Sequence, residues 1–542
     1  MVMSLTDSAP APSWVDGGPG QGRGYDLLGL RLPAQAISYD LLDGVTTITP
    51  TVRYLAIRSW IAHSYAQAGR PSDGKTFREY AAGVEAAVAY GNLLNDLNRG
   101  GVLGRIKAKR VMSSGDGPLP LLPLVEQLGV QVYGGPSSQL LLQDSEESVV
   151  PRLTLERGVP LAEALAGRVS SSELGKIFNT GGCPEAAGRE PLTEFGQLVD
   201  VADIPEQEAA LISAAILPER PFPAELPRVA TNAMLLSVAA ALSRAPVIDD
   251  IFRVVADPDT SLQPALGPTL DGWLHYLVRD TLAYCHEAVL YQVIRELETR
   301  GGDRRQVASE EVVAALVAAA DEHAATLKKL GLLAGGESPL TLTFREVAER
   351  VRAAVGERVE GGGPGPTRWR GGLTELAVIR AVRAAGAGAL ALLPVSWLLA
   401  LERAAYDSHT AEEPSDPLSR QGWARVGLRQ VVAPAVRAYL SGDQTYRYVL
   451  SELARRTVDQ HLRVAWARWS QDPKRDVALL LADGGLWSSR RRKFRAGRTD
   501  SRLEVSLSWL KQLRLIDERG LTSTGSAALG RALAALEAVG HE

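Results

Sequence analysis

The stretch that decides the fold of this chain runs from Val477 to Leu536 and reads VALLLADGGLWSSRRRKFRAGRTDSRLEVSLSWLKQLRLIDERGLTSTGSAALGRALAAL. A loop rich in arginine leads into an amphipathic segment, Ser501–Leu513. Three leucines of this segment recur at the spacing that places them on one face of a helix: Leu503, Leu507 and Leu510. Its polar side chains fall largely on the other faces. The pattern therefore predicts a helix with one buried side.

A short hairpin and a second helix are predicted next. Gly520 separates Leu515–Arg519 from Leu521–Thr522, and a glycine there suits a tight turn between two short strands. Thr524–Gly525 then opens the last helix. A helix, a short β-hairpin wing and a helix that begins with Leu-Thr-x-x-Gly resemble the winged-helix proteins of bacteria. The resemblance covers about sixty residues and implies that Ser501–Leu513 is the recognition helix.

A dense cluster of basic residues precedes this helix and enters it. Its members are Arg490, Arg491, Arg492, Lys493, Arg495, Arg498 and Arg502, with Trp487 and Phe494 among them. Each phosphate that such a cluster neutralises releases counterions, and arginine offers a bidentate fork that suits phosphate. Together with Ser506 and Lys511 of the helix, the cluster is the predicted nucleic-acid contact. The alternatives are a solvated loop, arginines paired with acidic groups elsewhere in the chain, and a protein-docking surface.

The bulk composition limits what the chain can be. Its 542 residues are 45% hydrophobic and 23% charged, as in a soluble globular protein of several domains. A net charge of -4 requires that any binding to nucleic acid come from a local patch. Only Cys183 and Cys285 are present, which argues against a disulfide framework and suits the reducing cytoplasm. The uncharged run Ala384–Leu401 predicts a buried helix broken near Pro394 rather than a membrane span.

The rest of the chain predicts a mainly α, multidomain helical body that carries the winged-helix (α+β) domain. The longest regular helix is expected over Asp271–Arg300. The expected divisions are a disordered tail at 1–24, an N-terminal helical domain at 25–135, a central helical domain at 136–360, a linker at 361–372 around Gly-Gly-Gly-Pro-Gly-Pro, a helical segment at 373–442, and a long helix plus the winged helix at 443–542.

One loop matches the phosphate-binding pattern G-x-x-x-x-G-K-[ST]. It runs from Gly69 to Thr76, and the pattern would assign nucleotide binding to Gly69, Gly74, Lys75 and Thr76. A true phosphate-binding loop requires a buried strand before it, whereas Arg53–Gln67 has the periodicity of a helix. We therefore predict a solvent-exposed loop between two helices, with Arg53 and Arg58 salt-bridged on the surface of the first.

The histidines of the longest helix, His275 and His286, are predicted to be core residues rather than metal ligands. Residues 44–60, GVTTITPTVRYLAIRSW, resemble a segment of uncharacterised bacterial proteins in which Gly-x-Thr/Asn-x-x-Thr precedes Arg-Tyr, several apolar residues and Trp. Those proteins are long, mostly helical and often encoded beside restriction or anti-phage defence genes. The resemblance implies an accessory protein of such a system and implies no catalytic residues.

The sequence thus predicts a non-enzymatic DNA-binding or docking subunit of a multiprotein bacterial system, such as one for defence against phages or plasmids. Two alternatives stay open: a nucleotide-dependent enzyme that uses Gly69–Thr76, and a winged helix used only as a protein–protein interface. No catalytic residue, metal ligand or cofactor is assigned. The expected partners are double-stranded DNA and the proteins of a larger complex, without a membrane.

Overall fold

Helices account for most of the structure, a computed structural model that describes residues 26–45, 51–144, 149–257, 264–301, 306–359, 368–406, 427–472, 474, 476–490 and 493–540. The mainly α fold class is therefore confirmed. The predicted tail at 1–24 and residues 361–367 of the predicted linker at 361–372 lie outside the described residues. The chain forms two compact units.

The first unit contains the described residues up to Tyr39 and from Phe252 to Ser501. Its α-helices are Gly267–Gly301, Ser309–Glu322, Ala325–Lys329, Phe344–Val355, Glu375–Ala385, Leu393–Tyr406, Ala433–Ser441 and Tyr446–Gln471. A three-stranded antiparallel sheet places Leu486–Ser489 between Val307–Ala308 and Leu480–Asp483, and a second strand pair joins Arg358–Val359 to Arg368–Trp369.

The second unit contains Asp40–Ile251 and the chain from Arg502 onward. Its α-helices are Tyr54–Gln67, Gly74–Asn95, Arg105–Met112, Gly129–Val132, Gly134–Gln139, Gly158–Val169, Glu173–Asn179, Arg189–Leu198, Glu206–Ile216, Leu226–Leu242, Leu503–Gln512 and Ser523–Gly540. Two strand pairs are formed by Leu119–Pro120 with Ala186–Ala187 and by Ile516–Asp517 with Gly520–Leu521. The chain passes from one unit to the other three times: within the helix Arg31–Leu41, within the helix Ile248–Ala256, and between Ser501 and Arg502.

The helix Gly267–Gly301, called the central helix below, organises the first unit. Four consecutive positions, from Tyr276 to Arg279, are all buried, so this part of the helix has no solvent-facing side. It contacts four other helices of the unit: Ser309–Glu322, Glu375–Ala385, Leu393–Tyr406 and Tyr446–Gln471. The core of the unit is therefore built around it.

One segment of the described chain, Glu375–Ala404, is long and apolar enough to cross a membrane by composition. However, 78% of its most apolar window is buried inside the protein, as in a core segment. It is not one continuous α-helix, because a 3-10 stretch at Gly386–Leu392 interrupts it. Gly386 has a φ of +51°, and Pro394 lies in the first turn of the following helix. The interruption thus lies just before Pro394, the position near which the helix was predicted to break.

The core of the second unit depends on a close helix crossing. A Cβ on Gly91 would lie 2.6 Å from the carbonyl oxygen of Leu192, and one on Gly196 would lie 2.3 Å from the backbone of Gly91. The helices Gly74–Asn95 and Arg189–Leu198 can approach this closely only because both positions are glycine.

Two arginines at the start of the second unit are buried, which corrects the prediction that they lie on a helix surface. Arg53 forms a bidentate ion pair with Glu208, at 3.0 and 2.9 Å, and also donates to backbone carbonyls. Arg58 donates its Nε–H to the Val130 carbonyl at 2.8 Å. Burial lowers the pKa of Arg58 to about 10. Both arginines can be buried because residues distant in sequence supply their hydrogen-bond partners. Glu208 accepts from Arg53, and the Val130 carbonyl accepts from Arg58.

Candidate nucleic-acid interface

Residues 490–502 are called the basic segment, and its residues 493–499 form a strap along the central helix. The ring of Phe494 packs edge-on against Tyr291, at 6.2 Å between centroids. The Gly497 N–H donates to Glu287 at 3.1 Å, and the Tyr276 hydroxyl donates to the Thr499 carbonyl at 2.6 Å. Because successive contacts reach successively earlier turns of the central helix, the strap runs antiparallel to it.

Three of the predicted contact residues point into the protein. Arg498 donates to Asp280 at 2.6 Å and stacks 4.3 Å above the Phe252 ring, which leaves its side chain 14% exposed. Arg502 is buried and has a φ of +61°. Ser506 is buried and donates to the side-chain oxygen of Asn232 at 2.7 Å. These side chains are therefore not part of the exposed surface.

The remaining described members of the prediction are on the outside. Lys493 and Arg495 are exposed on the strap, and Lys511 is exposed on its helix. Arg490 forms an ion pair with Asp476. Arg491 and Arg492 lie outside the described residues. The aromatic residues do not alternate with the cations on the surface: Trp487 is buried in the three-stranded sheet, and Phe494 packs on the central helix.

The helix Tyr446–Gln471, called the arginine-rich helix, lies close to the start of the basic segment. His461 of this helix accepts a hydrogen bond from the Leu479 N–H at 2.9 Å. The Leu479 carbonyl in turn accepts one from the Arg490 N–H at 2.8 Å. Trp466 follows His461 by five residues, about 8 Å along the helix axis. Hydrogen bonds through Leu479 therefore connect the arginine-rich helix at His461 to the start of the basic segment.

The end of the arginine-rich helix carries a pair of exposed tryptophans that was not predicted from the sequence. Trp466 and Trp469 are 58% and 44% exposed, and their rings lie 5.2 Å apart between centroids with an interplanar angle of 32°. Arg463, one turn before Trp466, is exposed as well. The signal in the sequence was two tryptophans three residues apart on a helix rich in arginine. Because tryptophan at helical spacing is usually a core residue, this signal does not separate a surface pair from a buried one.

Residues 503–540, called the C-terminal module, have the elements predicted for them. The helix Leu503–Gln512 is followed by a hairpin that pairs Ile516 with Leu521 and Asp517 with Gly520, and then by the helix Ser523–Gly540. Gly520 has a φ of +104°, and a Cβ there would lie 2.8 Å from the Ala239 carbonyl oxygen. Glycine is thus required both by the turn and by the approach of the hairpin to the helix Leu226–Leu242.

The first helix of the C-terminal module is largely covered within the second unit. Leu503, Leu507 and Leu510 are buried, as predicted, and so is Trp509. The Gln512 side chain accepts a hydrogen bond from the Val52 N–H at 3.0 Å. The exposed positions of this helix are Glu504 and Lys511, and Val505, Ser508 and Gln512 are half-buried. Residues 503–540 contain four Lys or Arg and four Asp or Glu, so the module has no excess positive charge.

The loop Gly69–Thr76 connects two helices, Tyr54–Gln67 and Gly74–Asn95, and is exposed over most of its length. The Asp73 carboxylate caps the second helix by accepting hydrogen bonds from the N–H groups of Lys75, at 3.1 Å, and Thr76, at 2.8 Å. These bonds, chiefly the one from Thr76, lower the pKa of Asp73. The Asp73 carboxylate therefore already accepts hydrogen bonds from the backbone N–H groups that a phosphate would need. In addition, the element before the loop is the helix Tyr54–Gln67, whereas a phosphate-binding loop follows a strand.

His286 is buried in the first unit and takes part in a chain of hydrogen bonds. The Trp397 indole N–H donates to its Nε2 at 3.0 Å, and its Nδ1 lies 3.0 Å from the Thr457 hydroxyl. Because the indole can only donate, Nε2 is the acceptor and the proton sits on Nδ1. Burial lowers the pKa of His286 to about 3. His275 is also buried on the central helix.

No group of three or more His, Cys, Asp or Glu side chains suited to holding a metal ion occurs among the described residues. Comparisons of the chain with family models, with curated proteins and with solved structures found no match. The functional assignment therefore rests on the geometry and charge of the surfaces described above.

Proposed function

We propose that this protein is a non-enzymatic DNA-binding subunit of a multiprotein bacterial system, and that it contacts DNA phosphates through a basic surface of the first unit. We define this basic surface by Arg463, Arg490, Lys493 and Arg495. The observation that carries the proposal is the concentration of charge: residues 447–495 contain twelve Lys or Arg and only five Asp or Glu. A local excess of this kind attracts a polyanion even when the whole chain is slightly acidic.

The fixed backbone of the strap supports phosphate contact. Hydrogen bonds to Glu287 and Asp280 hold the backbone at Gly497 and Thr499, while Lys493 and Arg495 extend into solvent. Less conformational freedom is then lost when these side chains meet phosphates than if the whole loop had to become ordered. Contacts of this type position a protein on DNA without reading its sequence.

The balanced charge of the C-terminal module and its mostly covered first helix indicate a role other than DNA binding for this module. Its helix, hairpin and helix resemble a winged helix, but its charge is balanced and its first helix is mostly covered. We propose that it serves as a protein–protein interface, with Glu504, Ser508 and Lys511 facing the partner. The resemblance of residues 44–60 to bacterial defence-associated proteins supports a setting with such partners. Exchanging Glu504 and Lys511 for residues of opposite charge should then reduce recovery of a co-purifying protein while leaving affinity for DNA unchanged.

A binding titration with a short DNA duplex at low salt tests the DNA proposal. The double variant Lys493→Ser/Arg495→Ser should bind severalfold more weakly than the wild type, because two phosphate contacts are removed. Lys328→Ser/Lys329→Ser is the matched control, since both lysines are exposed in the same unit and the change in charge is identical. A wild type that does not bind duplex, or a double variant that binds as well as the control, would overturn the proposal.

A further inference from the structure

The pair formed by Trp466 and Trp469 places two large aromatic rings in solvent. Both rings lie on the last two turns of the arginine-rich helix and contact each other. Exposed tryptophan is unfavourable because a large apolar area stays in contact with water. A contiguous patch of this kind on a soluble protein commonly marks a binding surface.

The charges around the pair indicate what covers it. Arg463 lies one turn before Trp466, Arg468 lies between the two tryptophans in sequence, and the exposed Lys474 follows the end of the helix. The acidic residues nearest in sequence are Asp459, Asp472 and Asp476, so that residues 459–476 contain four Lys or Arg and three acids. Cations therefore outnumber acids by one in this stretch, and Arg463 of the basic surface lies one helical turn from Trp466. A ligand with apolar faces and a negatively charged backbone is complementary to this arrangement.

We infer that Trp466 and Trp469 form a stacking platform for unpaired bases of a nucleic-acid strand whose phosphates lie along the basic surface. The inference rests on the proposed function and narrows it. Bases inside a duplex already stack on each other, whereas unpaired bases offer free faces to aromatic side chains. The platform would thus give the protein a preference for DNA that contains a single-stranded stretch.

The experiment compares labelled single-stranded DNA with a duplex of equal length, titrated against the full-length protein. Trp466→Ala/Trp469→Ala should weaken binding to the single strand by roughly fivefold or more for each base that loses its stacking partner. Binding to the duplex should change less than about twofold, since the phosphate contacts remain. Trp466→Phe/Trp469→Phe should retain most of the single-strand affinity because phenylalanine also stacks. Phe222→Ala, which removes an exposed aromatic ring of the second unit, is the control.

The outcomes separate this inference from the proposed function. If the alanine variant binds the single strand as tightly as the wild type while duplex binding persists, the stacking platform is wrong and the DNA proposal stands. If the wild type binds neither form, the proposed function itself fails. If the alanine variant changes the oligomeric state by size-exclusion chromatography with unchanged DNA affinity, the pair belongs to a contact between copies of the chain, and the inference is overturned.

Discussion

At the scale of single residues, His286 is held in its neutral form. Protonation at Nε2 would remove the acceptor of the Trp397 indole N–H and would place a charge in the core of the first unit. The folded-state pKa of about 3 lies below the ordinary value of 6.5. The resulting contribution to stability is therefore present above about pH 6.5 and is lost as the pH falls toward 3.

Urea unfolding between pH 6 and pH 4 measures this effect. The wild type should lose up to about 1.4 kcal/mol of unfolding free energy per pH unit through this histidine, in addition to what other groups contribute. His286→Gln lacks a titrating group and should lose correspondingly less per pH unit. His323→Gln, at an exposed position, should follow the wild type. Equal pH slopes for the wild type and His286→Gln would show that His286 is not held neutral.

The arginines of the basic segment divide into two kinds that the sequence does not distinguish. Arg498 compensates the buried Asp280 carboxylate, whereas Arg495 is exposed. Arg498→Ala should therefore cost about 3–5 kcal/mol of unfolding free energy, because it leaves an uncompensated buried charge. Arg495→Ala should stay within about 0.5 kcal/mol of the wild type. Chemical denaturation of the two variants compares them directly, and similar losses would mean that Arg498 is not the internal counterion.

At the scale of elements, most of the predicted helices followed from the periodic spacing of apolar residues. The helices Tyr54–Gln67 and Gly267–Gly301 were predictable because their apolar residues recur at helical spacing. The turn at Gly520 was predictable because only glycine tolerates its φ easily. These signals are local, so a short window of sequence contains them.

The partners of charged side chains were not predictable in this way. Arg53 pairs with a carboxylate 155 residues away, and Arg498 pairs with one 218 residues away. Until such partners are known, a buried arginine and a surface arginine look alike in sequence. The predicted interface therefore contained Arg498 and Ser506, whose side chains are hydrogen-bonded to Asp280 and Asn232 inside the protein. It did not contain the exposed pair Trp466 and Trp469.

At the scale of the whole molecule, each unit is assembled from separated parts of the chain. The second unit joins Asp40–Ile251 to the residues after Ser501. Boundaries read from composition assume that domains are continuous in sequence, and so they could not reveal this arrangement. The C-terminal module is consequently a structural part of the second unit, in contact with the helix Leu226–Leu242.

Truncation after Ser501 tests that arrangement. Without the C-terminal module, the face of Leu226–Leu242 that meets Ser506 and Gly520 loses its cover. The truncated protein should unfold at a lower temperature than the full chain and should bind a hydrophobic dye, because apolar surface is newly exposed. Thermal unfolding followed by circular dichroism provides the measurement. An unchanged melting temperature without dye binding would show that the module is an independent appendage.

The central claim is that exposed cations of the first unit contact DNA phosphates. The most direct measurement is the dependence of the binding constant for duplex DNA on salt concentration, for the wild type and for Lys493→Ser/Arg495→Ser. We expect steep weakening with salt for the wild type and a slope reduced by about 2 for the double variant, since about one phosphate contact is lost with each cation. Equal slopes for the two proteins, or no binding by the wild type at low salt, would contradict the claim.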